Sequence, residues 1–132
     1  MSTIYSLWKA ERETWLRGSD VFAERVLPDA LVIVPPLFEP QRFSQYQLRS
    51  AGTSPFSDVN FSQRTYAEKG ATTVLSYHAE ATHPNYKGFY EANCSTVYVC
   101  IDDEWKVLCH HHVPMGDTLK YFQDIAESRR AS

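Results

Sequence analysis

Hydrophobic positions recur along this chain first at a helical period and then, from Phe56 onward, at a period of two. Ile4, Leu7, Trp8 and Trp15 fall along one side of a helix that Ser2 or Thr3 can cap and that runs to about Leu16, with Glu11, Arg12 and Glu13 supplying charge. Gly18 ends it. Asp20 opens a short second helix carrying Val21, Phe22 and Val26, and Pro28 breaks it ahead of a β-branched strand at 30–34 that Pro35 and Pro36 stop. Pro40 suits the first position of a third helix through Phe43, Tyr46 and Leu48, with Gly52 beyond its end. The period-two region predicts strands at about 56–68, 72–83, 89–101 and 104–113, joined by Lys69-Gly70, by residues 84–88 and by Asp102-Asp103. Strands linked this tightly pair antiparallel. Asp117 can cap a final helix in which Leu119, Phe122, Ile125 and Ala126 share a face. Helices first, strands next and a last helix make an α+β order.

The last hairpin allows side chains to be paired by counting. With Asp102-Asp103 as a two-residue loop, Ile101 faces Glu104, and one row of the sheet then joins Cys100 to Trp105, Tyr98 to Val107, Thr96 to Cys109, Cys94 to His111 and Ala92 to Val113. The reverse row joins Val99 to Lys106, Val97 to Leu108, Ser95 to His110 and Asn93 to His112. The row with Tyr98, Trp105 and Val107 is the more apolar and is expected to face the helices. On the strand at 72–83, Leu75, Tyr77, Ala79 and Ala81 are expected inside, and Ser76, His78 and Glu80 outside.

Length bounds the architecture: 132 residues with 43% hydrophobic content suit one domain, with a core at about 4–114 and an extension at 115–132. The net charge of −3 comes with 13 scattered Lys and Arg, which excludes the basic footprint of a nucleic-acid binder. No stretch approaches the roughly 20 apolar residues of a membrane span, and residues 1–10 lack the pattern of a secretion signal, so a cytoplasmic location is expected. Cys94, Cys100 and Cys109 fall in alternating apolar runs that suit buried thiols rather than a disulfide framework. Aromatic residues reach 14%, enough to wall a core or a cavity with rings.

Three helices, a short strand and long meandering strands ending in Trp105-Lys106-Val107 and His110-His111-His112-Val113-Pro114 resemble the nuclear transport factor two-like superfamily. More narrowly, Leu75-Ser76-Tyr77-His78-Ala79, the run at 90–99 and the run at 105–114 look like a SnoaL-like domain family within it, related to ketosteroid isomerases. The likeness spans roughly residues 4–114. It implies three amino-terminal helices on a strongly bent, mixed but mainly antiparallel sheet, a cone whose pocket different members use for isomerisation, cyclisation, dehydration, ligand capture or protein binding. It also implies homodimers packed through the sheet. The fold alone does not choose among these uses.

The chemistry that an acid/base reaction needs is a carboxylate base and a hydrogen-bond donor held in an apolar cavity. Glu11 and Asp20 on the helices, Tyr77 and Tyr98 on the sheet and His111 are the candidates, although Glu11 also reads as a solvated helix charge and Asp20 as a cap. Cys94 opposite His111 would form a thiol–imidazole couple, but rigid strand centres rarely supply an oxyanion hole, and a buried structural cysteine is the plainer reading. The expected ligand wall comprises Trp8, Trp15, Phe22, Tyr77, Tyr98 and Trp105, with Cys94, Thr96, Cys109 and His111 among them and Phe43 and Tyr46 near the mouth. His110 and His112 point to one side of a strand, and His78 with Glu80 or Glu91 are possible further metal ligands, yet no complete ligand set is evident. Neither a metal nor another cofactor is expected. The expected partners are a small, partly apolar molecule and a second copy of the chain. The competing reading is a non-catalytic homodimerisation or protein-interaction module whose pocket is vestigial.

Overall fold

The structure is a computed structural model that describes residues 3–17, 23–35, 38–50, 56–84, 86–118 and Lys120. Helix α1 (Thr3–Arg17) precedes strand β1 (Val26–Ile33), the two-residue strand β2 (Gln41–Arg42) and helix α2 (Phe43–Ser50). Strands β3 (Asp58–Lys69), β4 (Thr72–His83), β5 (Tyr86–Ile101) and β6 (Glu104–Pro114) follow. They form one mixed sheet in the order β2-β1-β6-β5-β4-β3, antiparallel except where β1 runs parallel to β6. The class is the expected α+β. No helix among the described residues is long and apolar enough to cross a membrane.

Two prolines act differently from the sequence expectation. Pro28 lies within β1, which begins at Val26, and it falls where the ladder to β6 is interrupted between Val26 and Leu31, so its missing N–H costs no pairing there. Pro40 does not start a helix. Gln41 and Arg42 first pair with Val32 and Leu31, and α2 begins only at Phe43. Asp20 and Phe22 lie outside the described residues, as does nearly all of the helix expected after Asp117.

Asp102 and Asp103 both adopt positive φ, 52° and 64°, as a two-residue hairpin turn requires, and Ile101 faces Glu104. The counted pairs hold as far as Tyr98 and Val107. Beyond them the ladder resumes with Val97 opposite Cys109, so Leu108 is an extra residue on β6. Such a bulge reverses the alternation of every side chain after it. His110 and His112, expected outside, are buried, whereas Cys109 and His111, expected inside, are partly exposed beside Val97 and Ser95. The partner of Cys94 is therefore His112 rather than His111, and that of Thr96 is His110 rather than Cys109.

Helix α1 is held to the sheet edge at two places: the Arg12 guanidinium donates to the Val59 carbonyl, and the Phe56 N–H donates to the Trp15 carbonyl at 3.1 Å. The interior divides into two apolar clusters. One gathers Leu7, Val32, Phe43, Leu75, Tyr98 and Val107, and the other Trp15, Tyr77, Ala79, Tyr90, Ala92 and Cys94. Trp8 packs against both.

Candidate functional site

Between the two clusters lies a carboxylate. Leu7, Glu11 and Trp15 are spaced by four residues, so one helical stripe carries all three to the sheet, and Glu11 is only 1% exposed. The expectation of a solvated Glu11 is thus overturned. The helical period contains the signal, since Glu11 sits midway between two residues that must be buried.

Three donors from β4 and β5 meet this side chain. Tyr98 donates to Oε1 at 2.6 Å, Thr96 donates to Oε2 at 2.6 Å, and the Tyr77 hydroxyl also donates to Oε2. Trp15 Nε1–H in turn donates to the Tyr77 oxygen at 3.0 Å. A buried carboxylate without such partners would be costly by several kcal/mol, on the order of 3–5. Charge-assisted hydrogen bonds offset that cost here.

With Thr96, Tyr77 and Tyr98 all donating to Glu11, the donor directions beyond it follow one from another. Because Thr96 gives its proton to Glu11, its oxygen accepts from His110 Nδ1–H at 2.7 Å, leaving His110 Nε2 bare. His112 then donates through Nε2–H to that atom at 2.9 Å, and its own Nδ1 accepts from the Tyr90 hydroxyl at 2.6 Å. The chain Tyr90, His112, His110, Thr96, Glu11 passes hydrogen bonds in one direction. Trp15 stacks flat on His112, with ring centroids 4.8 Å apart and planes 6° apart.

Burial dominates the electrostatics of this chain. It pushes the pKa of His110 down despite Glu11 Oε2 lying 3.6 Å from Nδ1, and it pushes that of His112 down further, with His110 adding to the effect. Both imidazoles are neutral. Burial first, and then the charge of Glu11, raises Tyr77 and Tyr98 well above the usual phenol range, so both remain protonated donors. The same two causes push the Cys94 thiol up, which removes the thiolate a nucleophile needs. His112, its strand partner, already uses both ring nitrogens.

The expected ligand residues divide accordingly. Trp15, Tyr77, Cys94, Thr96 and Tyr98 are buried, and Trp8 stands edge-on to Tyr77 with centroids 5.7 Å apart. Trp105 packs against the first cluster and Phe43 is buried within it. Cys109 and His111 do not join them. The expected histidine metal set does not assemble either, because His78 faces outward on β4 while His110 and His112 face inward.

Solved structures share this fold at low sequence identity. A proposed ketosteroid isomerase from Parabacteroides distasonis is 18% identical, with a TM-score of 0.72 over 83% of this chain and 85% of that one. An NTF2-like protein from Cytophaga hutchinsonii is 16% identical, with a TM-score of 0.70 over 87% of this chain and 100% of its own. A proposed calcium/calmodulin-dependent protein kinase II association domain from Xanthomonas campestris is 17% identical, with a TM-score of 0.64 over 86% of each chain. No family model matches the sequence, and no curated protein is significantly similar to it. The fold is thus the nuclear transport factor two-like cone, as the sequence resemblance implied.

The depressed His110 and His112 values set the sign of a pH dependence. In the unfolded chain both groups regain a pKa near 6.5 and bind protons that the folded chain excludes, so stability is complete above about pH 7 and falls as the pH drops. For two groups the slope is at most about 2.7 kcal/mol per pH unit. Calorimetric melting at about pH 7.5 and about pH 5.5 should give a lower Tm at the acid value. His112→Phe, which keeps a ring against Trp15, should reduce that difference. A Tm equal at both pH values would contradict neutral, buried imidazoles.

Proposed function

We propose that the protein binds a small, partly apolar molecule with a carbonyl or hydroxyl oxygen at the Glu11 cluster and moves a proton on it, in an isomerase-, hydratase- or cyclase-type reaction. The observation that carries this reading is the convergence of one ionisable carboxylate with the hydroxyls of Tyr77 and Tyr98 inside a shell of aromatic rings. An oxygen of the ligand replaces Glu11 as the acceptor of Tyr98, which is then placed to stabilise a developing oxyanion. Glu11, freed of one donor, is the base. Trp8 and Phe61 flank Tyr77 and provide the apolar contact. The named similarity to a proposed ketosteroid isomerase supports the class of chemistry at the level of fold only. The free cysteines suit a reducing compartment, in keeping with a cytoplasmic protein.

Native mass spectrometry of protein purified from cells should detect a retained small molecule, and that molecule should quench or shift the fluorescence of Trp15, whose indole bonds Tyr77. Tyr98→Phe should weaken its binding by roughly tenfold, the worth of one hydrogen bond. Unchanged affinity in Tyr98→Phe would remove the oxyanion role, and unchanged affinity in Glu11→Gln as well would move the ligand elsewhere.

A second reading, a homodimer through the outer face of the sheet, rests on a different observation. Leu31, Cys109, Val97 and Val74 are register partners across β1, β6, β5 and β4, forming an aliphatic row on the face opposite α1. Leu31 is 44% exposed and Leu108, the extra residue of β6, 42%. Such a face suits a second copy, and the similarity to a proposed association domain accords with it. Sedimentation at micromolar concentration should give a dimer, and Leu31→Lys a folded monomer. A monomeric wild-type protein would end this reading.

A further inference from the structure

On the outer face of the sheet, away from Glu11, the register of β4 and β5 sets two carboxylates directly against each other. Glu80 faces Glu91, and one step along the same face His78 is opposite Asn93. Like charges opposed across an antiparallel pair are destabilising. Both glutamates are part exposed, 45% and 41% for their side chains, and are free to turn into solvent. They turn instead to one imidazole nitrogen: Glu91 Oε2 lies 3.4 Å and Glu80 Oε1 4.0 Å from His78 Nε2.

The other ring nitrogen explains what that atom offers. Asn93 Oδ1 stands 3.0 Å from His78 Nδ1, and an amide oxygen only accepts, so Nδ1 carries a proton and, in the neutral ring that binds a metal, Nε2 presents the lone pair. A lone pair and two anionic oxygens then face the same point. All three atoms lie within 4.8 Å of one another, so small rotations of the two exposed carboxylates bring them to the roughly 3.3–3.6 Å separation of tetrahedral ligands about 2.0–2.2 Å from a shared ion.

We propose that His78, Glu80 and Glu91 bind a divalent transition-metal ion, with zinc the best fit to one imidazole and two carboxylates. The imidazole argues against calcium and magnesium, which take oxygen ligands. Three protein ligands leave a fourth position for water or for a ligand from another molecule. Asn93 is the positioning residue: it fixes the tautomer and the ring direction, as hydrogen-bonded partners of metal-bound histidines do. The site is independent of the Glu11 cluster, because Tyr77 and His78 are adjacent on β4 and point to opposite faces.

Zinc titrated into metal-stripped protein, followed by calorimetry, should saturate at one equivalent, and His78→Gln or Glu91→Gln should abolish that binding. Asn93→Ala should weaken it by roughly 10- to 100-fold. Melting gives a second readout. Zinc should raise the Tm of the wild type but not of Glu91→Gln, and without metal Glu91→Gln should melt above the wild type, because the opposed charges are gone. The proposal is overturned if stoichiometric zinc does not bind. It is equally overturned if His78→Gln and Glu91→Gln bind zinc as the wild type does, which would place the ion on other groups such as the Cys100 and Cys109 thiols.

Discussion

A carboxylate removed from water has to be met by donors, and at Glu11 that requirement reaches from α1 into β4, β5 and β6. Tyr77, Thr96 and Tyr98 occupy its oxygens directly, while His110, His112 and Tyr90 complete the bonds of Thr96 in turn. Neutral imidazoles suit this arrangement because a neutral ring has one donor and one acceptor, and each ring here uses both. Hydrophobic contact brings the helix and the sheet together without specifying register, whereas this chain is satisfied in only one.

The bulge at Leu108 is what makes the chain possible. Without it, strict alternation would send His111 inward and leave His110 and His112 on the outer face, with no imidazole beside Thr96. The same extra residue aligns Cys109 with the aliphatic row of Leu31, Val97 and Val74 on the outer face. One residue therefore decides the chemistry of both faces. Inside are hydroxyls, rings and a carboxylate in an aromatic shell, the setting of the proposed proton transfer. Outside are an aliphatic band and, towards the other end of β4 and β5, the His78, Glu80 and Glu91 cluster.

Much of this architecture is legible in the sequence. The strand at 72–83 and the hairpin at Asp102-Asp103 are marked by alternation and turn chemistry, and the placement of Tyr77 inside and His78 outside follows from a period of two. The burial of Glu11 was legible too, in its spacing from Leu7 and Trp15, but a glutamate between Ala10 and Arg12 reads by composition as a surface charge. Leu108 carried no such signal. A bulge depends on how two strands twist past each other over several residues, and an apolar residue in an apolar strand looks the same whether paired or extra. Counting outward from the turn therefore succeeded for Cys100, Val99 and Tyr98 and failed for every partner beyond them. Pro28 and Pro40 misled for a related reason: the local rule for proline holds, but the sheet provides an unpaired stretch at one and a short strand after the other.

The direct test of a one-way hydrogen-bond chain ending on Glu11 is the tautomeric state of the two buried histidines, read from nitrogen NMR spectra through long-range ring couplings at neutral pH. The structure requires two neutral rings of opposite tautomer, with the proton on Nδ1 of His110 and on Nε2 of His112. A protonated ring at either position, or the same tautomer at both, would mean that the chain does not run towards Glu11.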